Sequence, residues 1–156
     1  MRIAMLSFLV LAAVSSCAGN DIDSAVQSAK AKTAIDSLWT SYAVAGDQRD
    51  AAAFAALFTE DATFVFAGAP SVHGRVAIGE FLAKRYTAID ATGLRVVPEE
   101  LKASGSLAAQ SGAFVSQFIE ADSQRTEYGR YVLIAERGSD KTWRIRRYMG
   151  IADSIR

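Results

Sequence analysis

The sequence predicts an α+β domain in which helices come first and antiparallel strands follow. Three observations carry that expectation. Apolar residues recur at helical spacing over the first part of the chain. After Gly93 the pattern changes to period two, as in half-buried strands. Turn residues at Ser104-Gly105 and Gly138-Ser139-Asp140 then divide that region into hairpins. Helices followed by strands, without βαβ alternation, is the α+β arrangement.

Taken in order, the chain opens with Met1-Arg2 and an apolar run, Ile3 to Val14, broken only by Ser7. Twelve residues at about 1.5 Å each are too short for a hydrocarbon core of about 30 Å, so the run fits the apolar part of an export signal. Val14-Ser15-Ser16-Cys17 then resembles a bacterial lipobox, and Cys17 is the only cysteine in the chain. The expectation is a signal peptide with lipobox over 1–17, lipidation at Cys17 and a single domain over 18–156. A conventional signal cut after Ala18 is the alternative. The location expected is the periplasm, membrane-anchored, with the outer membrane favoured; a soluble periplasmic or secreted protein is the other possibility.

From Asn20 to Ala45 the residues Ile35, Leu38, Trp39 and Tyr42 form one helical face, with Gly46 as the stop. A short alanine-rich helix is expected over Asp50–Phe58 and capped by Asp47. A strand follows over Ala62–Ala67, then a break at Gly68-Ala69-Pro70. A third helix is expected over Gly74–Ile89. Strands are expected at Leu94–Val97, Ser106–Ala121, Thr126–Arg137 and Thr142–Met149.

Of the 156 residues 51 % are hydrophobic, but the first 17 hold 13 of them. The rest has the composition of an ordinary globular domain, long enough to bury a core. Beyond residue 17 there are 16 basic and 17 acidic residues, so no basic surface points to nucleic acid. One cysteine and one histidine leave no cluster for a metal or a disulfide framework, and no cofactor is implied.

The segments Ala45-Gly46-Asp47, Leu57 to Phe64, Gly74-Arg75-x-Ala77-Ile78-x-x-Phe81 and Lys141 to Ile145 resemble the nuclear transport factor 2-like superfamily. That superfamily includes ketosteroid-isomerase-like and SnoaL-like domains. The resemblance covers about Asp36 to Gly150. It implies a cone: a curved antiparallel sheet wrapped around a long N-terminal helix, with two further helices, a pocket at the open end, and often a homodimer. The superfamily's ketosteroid isomerisation needs a tyrosine, a protonated aspartic acid and an aspartate base. Aligned on those motifs, the three positions fall at Trp39, near Val132 and at Phe66. Phenylalanine accepts no proton and indole only donates, so that route is not expected.

The same cone implies a pocket lined by Trp39, Tyr42, Phe66, Tyr128, Val132, Trp143, Ile145, Arg147 and Met149, with Arg130 nearby. Strand alternation aims Arg147 inward, where it needs a carboxylate such as Glu136 or an anionic ligand. His73, on a loop at the pocket mouth, and Tyr42 are the candidate catalytic groups. Arg75 is expected to pair with a carboxylate of the fold. The function expected first is an exported, lipid-anchored binding or accessory domain for a small apolar or weakly anionic molecule. An isomerase, dehydratase or cyclase using His73 or Tyr42, and a dimerisation or protein-interaction module, are the alternatives.

Overall fold

The computed structural model describes residues 17–156, with side chains from residue 25 onward apart from 90–92. The expected signal segment lies outside the described residues, as does the side chain of Cys17. Helix α1 spans Cys17–Asp47, α2 Ala51–Ala56 and α3 Arg75–Arg85. The strands are β1 (Phe58–Val65), β2 (Val72–His73), β3 (Asp90–Ser104), β4 (Leu107–Glu120), β5 (Ser123–Arg137) and β6 (Trp143–Ile155). They form one sheet in the order β2-β1-β6-β5-β4-β3. Every pairing is antiparallel except β1 with β6, which is parallel.

The apolar face read from the sequence is the face that α1 buries. Ile35, Leu38, Trp39 and Tyr42 are all buried, with Ala31 and Ala45 extending the row. Ile35 belongs with Phe58, Ile78, Leu133 and Ile145 to one core cluster, and all five side chains are fully buried. Burial of a side chain this size stabilises by about 1.5–3 kcal/mol. The N-terminal part of α1 is tied to the β3–β4 hairpin: Ala103 N–H donates to Ser28 Oγ at 3.0 Å and Gly105 N–H to Gln27 Oε1 at 2.7 Å. The C-terminal end of α1 reaches the other end of the sheet.

Several boundaries differ from expectation. Asp50 caps α2, its Oδ1 accepting from the Ala53 N–H at 2.8 Å, where Asp47 was expected. Strand β3 is eleven residues longer than the short stretch Leu94–Val97, extending it at both ends and straight through Pro98. It tolerates that proline because it is the edge strand, and a bulge falls between Pro98 and Glu100. Gly74 sits at φ +88 ahead of α3, a backbone that side chains other than glycine's rarely adopt.

Two strand irregularities decide which side chains face inward. In the β5–β6 pair, Ala135 lies opposite Ile145 but Ile134 lies opposite Arg147, leaving Arg146 as an extra residue. The alternation flips there, so Ile145, Tyr148 and Gly150 are buried while Arg147 and Met149 face out. A second shift lies between Tyr128 and Gly129. Along β5 the inward set is Glu127, Gly129, Tyr131, Leu133 and Ala135.

Candidate functional site

A cavity of about 100 Å³ opens where the C-terminal end of α1 meets the mouth of the curved sheet. Its wall is aromatic: Tyr42 from α1, Phe54 from α2, Phe64 from β1, Phe81 from α3, Phe114 and Phe118 from β4, and Tyr148 from β6. Phe66 and Tyr86 complete it at the ends of β1 and α3. Phe64 stacks between Tyr148 (5.3 Å between centroids, 16°) and Phe66 (6.2 Å, 9°). Tyr42 leans on Phe54 at 4.2 Å and on Tyr148 at 5.8 Å. This is the usual make-up of a small-molecule pocket, apolar with few polar groups.

Those polar groups are three phenols, the inward carboxyl of Glu127, the exposed carboxyl of Asp47 at the rim, the Ser116 hydroxyl and the Arg85 guanidinium. Burial pushes the Tyr42 hydroxyl well above its ordinary value, with the neighbouring Tyr148 hydroxyl adding to it. Burial also raises Tyr148, and raises Tyr86 to about 12. All three therefore stay protonated and able to donate. Glu127, 5 % exposed, projects from the inner face of β5 opposite Ser116 of β4. Burial pushes its carboxyl up, and the charge of Arg85 pulls it partly back. Arg85, in the last turn of α3, lies over the Phe66 ring at 4.3 Å from its centroid. Burial pushes the guanidinium down, opposed by Glu127 and Glu120.

Only part of the expected pocket set meets in this cavity. Tyr42 and Phe66 line it. Trp39 instead turns into the core and donates its indole N–H to Gln110 Oε1 at 2.6 Å. Ile145 is core, 0 % exposed, and Trp143 packs partly buried at the hairpin end of β5 and β6, with Arg137 over its ring. Four residues are corrected outright: Tyr128, Val132, Arg147 and Met149 lie on the outer face, exposed to solvent. The β6 bulge at Arg146 accounts for Arg147 and Met149. On β5 both faces carry apolar residues, so the alternation alone did not show which set turns inward. Val132 thus does not stand at an inward acid position; its inward neighbours Tyr131 and Leu133 carry no carboxyl.

The remaining polar candidates also sit outside the cavity. Arg147 donates to the Asp61 carbonyl at 3.2 Å and the Arg146 carbonyl at 2.8 Å, and it is Arg146 that pairs with Glu136, at 2.7 Å. Arg130 is exposed and pairs with Asp153 at 3.0 Å. His73 belongs to strand β2 and not to a loop; it is exposed, its ring nitrogens 3.3 Å from Thr63 Oγ1 and 3.2 Å from Ser71 Oγ. Arg75 holds the Phe58 carbonyl at 2.8 Å where a carboxylate was expected. Among the described residues no group of side chains has the make-up of a metal site.

Sequence reasoning missed Glu127 and Arg85. Glu127 sits between Thr126 and Tyr128 with no local feature to mark it as buried. Arg85 was visible at helical spacing from Ile78, Phe81 and Leu82, the one signal that placed it on the inward face of α3.

A helix-lined, curved sheet with a pocket at its mouth defines the nuclear transport factor 2-like class. Within that class the chain belongs to the SnoaL-like domain family, whose model matches residues 27–149. No curated protein matches the chain. Among solved structures it is similar to a ketosteroid isomerase-like protein from Erwinia carotovora atroseptica, at 16 % identity and TM-score 0.71 over 78 % of this chain and 95 % of that one. It is similar to a nuclear transport factor 2-like protein with a cystatin-like fold from Novosphingobium aromaticivorans, at 16 % identity and TM-score 0.70, covering 86 % and 90 %. It also resembles a type 2 hexachlorocyclohexane dehydrochlorinase, at 16 % identity and TM-score 0.67, covering 85 % and 92 %. Likeness at this level of identity establishes the fold and not a shared reaction.

Proposed function

We propose that this domain binds a small, mostly apolar molecule in the cavity at the mouth of its sheet. The observation that carries the reading is the aromatic wall closed by the two buried phenols of Tyr42 and Tyr148. A stacked aromatic wall gives an apolar ring both buried area and favourable edge and face contacts. Trp39 and Phe66 stand where the superfamily's isomerisation needs a tyrosine and a base, which supports binding over that route. The test is calorimetric titration with toluene, paired with Ser116→Phe, which puts a ring into the cavity from β4. The wild type is expected to bind and the filled variant to lose binding; equal behaviour of the two overturns the reading.

A second reading is favoured by one observation, the buried Glu127 carboxyl among the phenols. It is proton transfer to or from a bound substrate, with Glu127 as the base. Exchange of a ligand C–H with deuterium from solvent, abolished in Glu127→Gln, is the expected sign. Absence of exchange in the wild type leaves binding alone.

The export, anchor and dimer readings belong to the same proposal. The spacing of Val14-Ser15-Ser16-Cys17 supports acylation of Cys17 at an exported domain. Among the described residues no helix is long and apolar enough to cross a membrane. The outer sheet face supports a homodimer: Val132 pairs with Met149 across β5 and β6, with Ile151 one step along, and all three are exposed. Mass spectrometry of the native protein reads the first. Sedimentation of Met149→Lys reads the second, with a monomer expected where the wild type is a dimer.

A further inference from the structure

Glu127 and Arg85 both line the cavity, and neither head is hydrogen-bonded to another described residue. Among the described residues no donor lies within hydrogen-bond distance of the Glu127 carboxyl, although the residue is 5 % exposed. Arg85 holds its guanidinium carbon over the Phe66 ring, and among the described residues no acceptor takes its N–H groups. Among the described residues no fully buried side-chain polar atom lacks a partner, so the Glu127 carboxyl and the half-buried Arg85 guanidinium are open to the water of the cavity. A ligand that displaces that water must itself supply the hydrogen bonds the water made to the two heads.

The two groups also set the charge the ligand carries. A cationic head entering the cavity meets Arg85, and an anionic head meets Glu127. Each is attracted by one group and repelled by the other, after losing its own hydration. A neutral head with an acceptor for the guanidinium and a donor for the carboxyl satisfies both, through hydrogen bonds strengthened by charge on the protein side. Asp47 at the rim and Glu120 are exposed, so water screens them from the interior.

We propose that Glu127 and Arg85 form a head-group site for a neutral molecule with an acceptor and a donor on neighbouring atoms, of the primary carboxamide type, carried on an apolar ring. The inference rests on the binding reading above and adds the chemistry of the ligand's polar end. The ring stacks among Phe64, Phe114 and Tyr148, while the carboxamide oxygen accepts from Arg85 and its N–H donates to Glu127.

The experiment compares four probes of one size, benzamide, benzoate, benzylamine and toluene, by calorimetric titration of the wild type, Glu127→Gln and Arg85→Gln. Glu127→Gln keeps the size of the native side chain, Arg85→Gln shortens it and withdraws it from Phe66, and circular dichroism verifies folding of both. The wild type is expected to bind benzamide at least ~10-fold more tightly than either charged probe, the scale of one charge-assisted hydrogen bond. Glu127→Gln is expected to strengthen benzoate by ~10-fold and Arg85→Gln to strengthen benzylamine by a similar factor, because each removes the repelling charge. A merely structural role for either residue would weaken all four probes together, and that result overturns the inference. If toluene binds but the three polar heads rank alike in the wild type, the head-group site is overturned and the binding reading stands. If none of the four binds, both fall.

Discussion

Trp39 and Gln110, 71 residues apart, share a 2.6 Å hydrogen bond inside the core, indole N–H to amide oxygen. The Tyr131 hydroxyl donates to the same oxygen at 3.0 Å. One buried acceptor thus satisfies two buried donors and ties α1 to both β4 and β5.

Gln110→Met keeps the volume and removes the acceptor, orphaning both donors. An orphaned buried donor costs about 1–3 kcal/mol, so the variant is expected to lose on the order of 2–4 kcal/mol of stability. Trp39→Phe removes one of the two bonds and leaves no orphan, so its hydrogen-bond loss is smaller. Urea denaturation at neutral pH measures both; a Gln110→Met loss no larger than that of an exposed substitution refutes the shared-acceptor account.

Gly129 faces the interior with the Phe114 ring laid over it. A Cβ there would stand 2.4 Å from the Ile151 carbonyl oxygen and 2.5 Å from Phe114 Cζ. The ring can shift but the backbone oxygen cannot, so Gly129→Ala is expected to cost about 1–3 kcal/mol, toward the upper end. Adding Phe114→Leu relieves only the ring contact and is expected to recover part of the loss in a thermal melt.

Glu127 and Asp140 respond to pH in opposite senses. Burial raises Glu127, so the folded state holds its proton more tightly than the unfolded state. Ionising it therefore costs stability as pH rises above the ordinary carboxylate range. Glu127→Gln is expected to raise the melting temperature at pH 7, with the gain shrinking toward pH 4. A gain that is constant across that range contradicts the assignment.

Asp140 is pulled down to about 2, first by the hydrogen bond from Arg144 and then by the Thr142 N–H. Its contribution is present above the ordinary aspartate range and is lost as pH falls through the lowered value. By carbon-13 NMR its carboxyl is expected to remain ionised at pH 3. Arg144→Ala is expected to move its titration up toward the ordinary range; an unmoved titration would assign the shift to the turn backbone alone.

Much of the fold was legible because its signals are local. The spacing of Ile35, Leu38, Trp39 and Tyr42 marks one helix face whatever that face later packs against. Gly105 and the Gly138-Ser139-Asp140 turn mark hairpins by their backbone needs. The site was legible only where it borrowed such signals: Tyr42 belongs to the helical face, and Phe66 to the aromatic end of the first strand.

The sequence by itself determined the order of helices and strands and the helical face that enters the core. Tertiary structure alone decided which face of each late strand points inward. The physical reason is that a strand's alternation has two phases, and one extra residue exchanges them. With apolar residues on both faces of β5, neither phase was marked. The bulge at Arg146 in the β5–β6 pair sent Arg147 and Met149 to solvent. The pairing of β5 with β4 set Glu127 opposite Ser116 and turned it into the cavity, where burial raises its carboxyl.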